Sequence, residues 1–169
     1  MNSDNPKFGS LLLIGLVAGL IQVAAGVVMY VAGFYFAAWS MLVSVLVLLL
    51  CIVAGTKFYR DKHTFGAFTY GQAFLAGAVI SIVTGVVYAI YNLVSINFFY
   101  PNFLDEVART YAAAGTFPVE TIRASLSPIM IAVPNLIRLS VIGIIISAIV
   151  ALFLKRSGPS DEALAGATA

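Results

Sequence analysis

The residues best suited to chemistry form a polar island, KFYRDKHTFGAFTYGQ, from Lys57 to Gln72. It contains His63, the only histidine of the chain. A catalytic histidine needs a nucleophile within reach, and a catalytic metal needs several converging His, Cys or carboxylate ligands. The only cysteine, Cys51, lies in an apolar run away from this island. We therefore predict no catalytic residue, no metal site and no cofactor.

Sequence motifs also give no indication of a catalytic or cofactor-binding site. The chain contains no G-x-S-x-G, no phosphate-binding loop and no dinucleotide-binding motif. No basic run is dense enough to indicate binding to nucleic acid. One cysteine cannot form an internal disulfide, and Cys51 has the setting of a small buried hydrophobic residue. The function must therefore be sought in the apolar sequence that surrounds the island.

Composition places the chain in a membrane. Of its 169 residues, 62% are hydrophobic and 9% are charged, whereas soluble domains have roughly 25% charged residues. A helix needs about 20 apolar residues to cross the hydrocarbon core. The solid apolar runs predict an all-α integral membrane protein, a bundle of four transmembrane helices within residues 1–156. The spans are about Phe8 to Phe36, Trp39 to Tyr59, Gly71 to Phe98, and Pro134 to Leu154.

The first span has an alternative interpretation as a signal peptide. Lys7 would form its basic region, Leu11 to Ile21 its apolar region, and Val23-Ala24-Ala25 its cleavage site. The apolar run continues for ten more residues past that site. This length favours a long, tilted span.

Cationic residues predict the orientation, because cytoplasmic loops carry the excess of Lys and Arg. If the spans alternate, two cations fall on the outer side, Arg109 and Arg123. Six fall on the inner side: Lys7, Lys57, Arg60, Lys62, Lys155 and Arg156. We therefore predict that both termini lie in the cytoplasm.

Two segments lie outside the predicted spans. Residues 101–127 read as two short helices on the outer surface, the first capped by Asn102 and ended by Gly115. Its apolar stripe would consist of Leu104, Val107, Ala108 and Tyr111. Residues 157–169 are small and polar without a pattern, so we predict a disordered cytoplasmic tail.

Small residues mark the faces where helices approach closely in lipid. Three of the four spans carry such residues at steps of four or seven, and we favour contacts within one chain over contacts between chains. The second span is mostly Leu and Val, so we expect it to be the most exposed to lipid. The predicted packing residues are Gly15, Gly19, Gly26 and Gly33 in the first span, Gly77, Ser81 and Gly85 in the third, and Gly143 and Ser147 in the fourth.

Polar groups inside a membrane suggest function or helix-helix hydrogen bonding. Gln22 continues the glycine face of the first span, and the third span carries a polar face of Ser81, Thr84, Tyr88, Asn92 and Ser95. Arg138, one turn into the fourth span as predicted, could snorkel to the interface, pair with a carboxylate of the outer loop, or bind an anion or a lipid head group. Gln22, Tyr88, Asn92 and Arg138 are therefore our candidate polar membrane site.

The polar island itself is best explained as an anchor for the membrane topology. Thr69 and Gln72 fit a capping box at the start of the third span. The nearby cations can attract anionic lipid at about 1 kcal/mol each. These candidate lipid contacts are Lys57, Arg60 and Lys62, with Phe65 among the aromatic residues of the head-group layer. We expect His63 to be a solvated loop residue.

Several short motifs resemble one uncharacterised family. Tyr59-Arg60-Asp61-Lys62, Gln72-Ala73-Phe74 with Gly77, and Tyr100-Pro101 are similar to features of domain-of-unknown-function family 4199, over about Gly9 to Arg156. The resemblance implies a short bacterial protein of four spans with an outer loop before the last one. It implies no activity and no catalytic residue.

Together these patterns predict a non-enzymatic membrane protein that binds lipid or a partner membrane protein. The alternative is a small transporter or channel subunit that uses the polar face of the third span. Four spans are few for a transporter, so this alternative needs a homo-oligomer.

Overall fold

The computed structural model describes residues 8–63, 68–115 and 117–155. Lys7, Phe65, Arg156 and the predicted disordered tail, residues 157–169, lie outside that part of the chain. The described residues form helices α1 Phe8–Val31, α2 Ser40–His63, α3 Tyr70–Phe98, α4 Phe103–Ala113, α5 Val119–Ser125 and α6 Pro128–Leu154. Of these, α1, α2, α3 and α6 are long and apolar enough to cross a membrane. The all-α membrane bundle predicted from sequence is confirmed.

Helix α1 ends five residues before the predicted end of the first span. Gly33 has a φ of +76°, a conformation that glycine adopts without steric penalty. Its amide donates to the carbonyl of Tyr30, and the Phe34 amide donates to the carbonyl of Met29. This is a Schellman motif, which ends a helix by satisfying its last carbonyls. Gly33 is thus a stop signal, and its assignment to the packing face of the first span was wrong.

Helix α6 begins six residues earlier than predicted. The Ser127 hydroxyl accepts a hydrogen bond from the Met130 amide, and Pro128 occupies the first turn, where its missing amide leaves no bond unmade. Pro134, which we expected at the start of this span, lies inside the helix. Neighbouring packing lets transmembrane helices tolerate internal proline.

Helix α3 forms the centre of the bundle and packs against α1, α2 and α6. Half of its membrane window is buried, compared with 28% for α1 and α6 and 22% for α2. The predicted capping box at its start is confirmed: Thr69 accepts from the Gln72 amide, and the Gln72 side chain accepts from the Thr69 amide. The low burial of α2 agrees with its Leu- and Val-rich sequence.

Small residues bring the helices together within one chain. A methyl group added to Gly15 or Gly19 of α1 would lie within 2.7 Å of the Cβ of Val83 or Val87 on α3. The α3–α6 contact is reciprocal, since Gly77 faces Ser147 and Gly143 faces Ser81. The two other predicted packing glycines also contact side chains of neighbouring helices: Gly26 faces Tyr88, and Gly85 faces Leu136 and Ser140.

Helices α4 and α5 cover one end of the bundle, which we call the turn end because the α1–α2 turn lies there too. Phe103, Leu104, Val107 and Ala108 of α4 are buried, whereas Tyr111 is 65% exposed, so its place in the predicted stripe was wrong. The Asn102 side chain makes no capping hydrogen bond, contrary to our expectation. The Arg123 side chain of α5 donates to the Asp105 carboxylate of α4 and joins the two helices.

Candidate functional site

A polar cavity of about 120 Å³ lies between α1, α2, α3 and α6 in the half of the bundle nearer the turn end. Helix α1 lines one side of the cavity, and the first turn of α2 lines another. Helix α3 contributes Tyr88, and α6 contributes Asn135 and Arg138. Tyr35 reaches it from the α1–α2 turn. The cavity thus brings together Gln22, Tyr88 and Arg138, three members of the candidate polar membrane site.

Gln22 is the most deeply buried polar group of this cavity, with 2% of its surface exposed. Its amide nitrogen donates to the Ser44 hydroxyl at 2.6 Å and to the Ser44 carbonyl at 3.3 Å, linking α1 to α2. Its amide oxygen, Oε1, is buried and accepts no hydrogen bond. A buried acceptor without a partner loses about 1–3 kcal/mol of solvation. Gln22 therefore lines the cavity and keeps a buried acceptor without a hydrogen-bond partner.

Arg138 lies further from the start of its helix than the sequence suggested. Because α6 begins at Pro128, Arg138 is ten residues from the helix start, about 15 Å along the axis. The preceding turns present apolar side chains, including Ile129 and Val133, to the surroundings. Snorkelling of Arg138 to the interface stays a prediction.

No carboxylate neutralises Arg138 among the residues that the structure describes. The acidic residues of the turn end include Asp105, which pairs with Arg123. The expected ion pair between Arg138 and an outer-loop carboxylate is absent from the described parts of the chain. The partly buried guanidinium of Arg138 instead borders the cavity. A charged side chain inside a membrane helix is costly to insert, so an anionic partner would stabilise Arg138.

Two tyrosines complete the donors of the cavity. The hydroxyls of Tyr35 and Tyr88 share a hydrogen bond close to Arg138. Burial raises the pKa of Tyr35, which lies in the turn outside the spanning helices. The bond from Tyr88 and the charge of Arg138 oppose that rise. Both residues present neutral phenols, which can donate to an anion as well as to each other.

Asn92, the fourth candidate residue, lies outside this cavity. It borders a space of about 10 Å³, close to the size of one water molecule, among the tyrosines of the turn end. Its Nδ2 is buried and makes no hydrogen bond. Grouping Asn92 with Gln22 and Arg138 was therefore wrong, because Asn92 is one turn nearer the turn end than Tyr88. The aromatic rings of Tyr30, Tyr35, Tyr100 and Phe103 pack around this space.

The rest of the polar face of α3 is used for packing. Ser81 is fully buried, donates to the Gly77 carbonyl and lies against Gly143. Thr84 is also fully buried and donates to the Gly15 carbonyl of α1. These contacts fill the interior between Tyr88 and the opposite end of the bundle.

The predicted lipid-binding cations lie at that opposite end, far from the cavity. Arg60 donates to the adjacent Asp61 carboxylate at 2.8 Å, so its charge is partly neutralised. The Lys62 ammonium lies 5.4 Å from the centre of the Phe58 ring, and Lys57 is exposed. His63 is the last residue of α2 and packs against Tyr59, so its assignment as a solvated loop residue was wrong. These residues therefore form no common site with Arg138.

Four polar residues of the cavity were not singled out from sequence. Ser44 follows Ser40 by four residues in α2, a spacing that places both on one helix face. Asn135 precedes Arg138 by three residues, also on one face. These two spacings could have been recognised in the sequence. The position of Tyr35, the fourth residue, depends on where α1 ends.

The fold and the cavity define a class: a small multi-pass membrane protein with a donor-rich site inside its helix bundle. A family model described as "Protein of unknown function (DUF4199)" matches residues 13–156. The match covers most of the chain, so the chain belongs to this family, as its motifs suggested. No curated protein and no solved structure matches the chain.

Proposed function

We propose that this chain is a non-enzymatic membrane protein that binds an anionic group, a carboxylate or a phosphate, in the cavity between α1, α2, α3 and α6. One observation carries the proposal. Arg138 borders the cavity about 15 Å inside a membrane helix, without a carboxylate partner among the described residues. A bound anion supplies the missing charge.

The hydrogen-bonding groups of the cavity suit such an anion. The guanidinium of Arg138 offers paired donors in the planar geometry that matches a carboxylate or phosphate. The hydroxyls of Tyr35, Tyr88 and Ser40 add neutral donors. Ser40 and Met41 are the first residues of α2 and line the cavity, so the partial positive charge of that helix end also favours an anion.

The alternative from sequence, a small transporter or channel subunit, receives less support. Transport within one chain needs a polar path from the cavity to the opposite end. The fully buried Ser81 and Thr84 are bonded to backbone carbonyls along that direction. A binding protein requires no such path, and neither does one that acts on a partner membrane protein.

We also propose that the protein lies in a bacterial cytoplasmic membrane with both termini in the cytoplasm. The distribution of Lys and Arg supports this orientation, because the cation-rich end of α2 would face inward. Fusing a periplasm-active reporter and a cytoplasm-active reporter to Leu154 tests it. We expect activity only from the cytoplasmic reporter, and the opposite pattern would reverse the orientation.

Native mass spectrometry of the purified protein tests the binding proposal. The protein is extracted in a mild detergent that retains endogenous lipid, as wild type and as the Arg138→Gln variant. The matched control is Arg109→Gln, which removes the same charge from an exposed position on α4. A hydrogen bond to a charged group contributes about 1.5–3 kcal/mol, so we expect about a tenfold or greater loss of bound anionic ligand in Arg138→Gln.

The control variant should keep the wild-type amount of ligand. Equal ligand retention by wild type, Arg138→Gln and Arg109→Gln would refute an anion site at Arg138. Retention of zwitterionic lipid alone, with no anionic molecule bound, would refute it as well. Gel filtration shows whether each variant remains monodisperse, so that a lost ligand is not confused with a lost fold.

A further inference from the structure

A long apolar groove lies on the lipid-facing side of α1 and α2. It has a volume of about 650 Å³ and is lined almost wholly by apolar atoms. Its rim consists of exposed residues such as Leu13, Val17 and Leu50, and its floor of the small residues Ala18 and Gly55. Large side chains on both helices with small ones between them leave room for a hydrocarbon chain.

The groove and the polar cavity lie next to each other along the same two helices. On α2, Ser40 and Ser44 line the cavity and Val47 and Cys51 line the groove, at steps of four, three and four residues along one helix face. On α1, Ala18 and Ile21 of the groove lead to Ala25 of the cavity at steps of three and four. The hydrogen bond from Gln22 to Ser44 marks the boundary between the two. A polar site thus adjoins an apolar channel along the same pair of helices.

From this adjacency we propose that the occupant is a lipid with one acyl chain and a small anionic head group. The inference rests on the proposed function, since the head group is the anion that Arg138 binds. The apolar chain lies in the groove between α1 and α2.

The small size of the cavity favours a single-chain lipid. The groove runs from Ile21 to Leu13 on α1, about 12 Å along the helix axis. A cavity of about 120 Å³ holds a carboxylate or a phosphate rather than a bulky head group. A head group drawn this far into the bundle suits a lipid with one tail rather than two.

Photo-crosslinking with a fatty acid tests the proposal. The probe is a palmitic acid analogue with a diazirine near the end of its chain, added to the detergent-purified full chain. We expect crosslinked peptides from residues 13–21 of α1 and 47–58 of α2. Unlabelled palmitate should compete, whereas hexadecanol, which lacks the charge, should compete at least tenfold less well.

Two variants test the groove and the head-group site separately. Ala54→Trp fills the groove from an exposed position, and Ile145→Trp is its control on the lipid-facing side of α6. Both should keep the wild-type gel-filtration profile. We expect crosslinking to fall about tenfold in Ala54→Trp and Arg138→Gln and to remain unchanged in Ile145→Trp.

Each remaining outcome overturns the inference in a recognisable way. Crosslinks spread over the lipid-facing side of α6, and unchanged in Ala54→Trp, would show that the groove is ordinary lipid-facing surface. If Arg138→Gln still lost its ligand in native mass spectrometry, that result would support the anion site and refute only the proposal that a lipid chain occupies the groove. Competition by inorganic phosphate as strong as that by palmitate would identify a free anion as the occupant. Competition by phosphatidylglycerol stronger than that by palmitate would identify a two-chain lipid.

Discussion

At the scale of single residues, the proposed roles of Arg138 and Gln22 depend on the cavity beside them and on the partners that they lack among the described residues. Both could be singled out from sequence, because polar groups inside membrane helices are rare and expensive. Their juxtaposition could not, since it depends on how α1 and α6 pack around α3. Gln22, whose buried Oε1 has no hydrogen-bond partner, and Arg138, which has no carboxylate partner in the part of the chain that the structure describes, line one cavity. Asn92 shows the limit of the pattern, because helical spacing on α3 did not reveal that it faces a separate space.

The capping box of α3 gives a prediction at this scale. Replacing Thr69 by Ala removes the side-chain oxygen that accepts from the Gln72 amide. We expect the free energy of unfolding to fall by about 1 kcal/mol. Asn102→Ala is the control, because the Asn102 side chain makes no capping hydrogen bond and its loss should change stability by less than about 0.5 kcal/mol. Unfolding in mixed detergent micelles measures both, and equal losses would contradict the capping role.

At the scale of elements, the boundaries of two helices changed the account of the site. The sequence placed the start of the fourth span near Pro134. The Ser127 cap and Pro128 open α6 earlier, so Arg138 lies ten residues inside the helix rather than one turn. Gly33 likewise ends α1 and frees Tyr35 to reach the cavity. A single sequence offers competing start and stop signals at both places, and tertiary packing decides between them.

The contact between α3 and α6 gives a prediction about packing. A side chain at Gly143 would overlap the Ser81 side chain, so Gly143→Val should force the two helices apart. Overpacking of this kind destabilises by about 1–3 kcal/mol. Gly9→Val is the control, since a Cβ there has no neighbouring atom within 4 Å. Midpoints of unfolding in detergent mixtures compare the variants, and no shift in Gly143→Val would mean that the helices can separate without penalty.

At the scale of the whole molecule, the sequence was sufficient for the class of fold. Solid apolar runs and the need to satisfy backbone groups in lipid leave helices as the solution. The small residues at four-residue steps also indicated which faces pack. The cavity, by contrast, arises because α1, α2 and α6 surround α3 and leave space beside Tyr88. The groove beside it depends on how α1 and α2 are aligned along their axes. The sequence of one helix alone does not determine that alignment.

These features combine into one account of the molecule. The α3–α6 and α1–α3 contacts hold a rigid bundle, and α2 closes its remaining side with fewer contacts to the interior. The polar cavity and the apolar groove both lie along α2. An amphiphile bound there would contact the least buried spanning helix and fill the space that packing leaves.

The central claim is that Arg138 binds an anion inside the bundle. The most direct measurement is the amount of anionic ligand that the wild-type protein, Arg138→Gln and Arg109→Gln retain in native mass spectra recorded under identical conditions. We predict that wild type and Arg109→Gln retain it equally and that Arg138→Gln loses about nine-tenths of it or more. Equal retention by all three proteins would contradict the account.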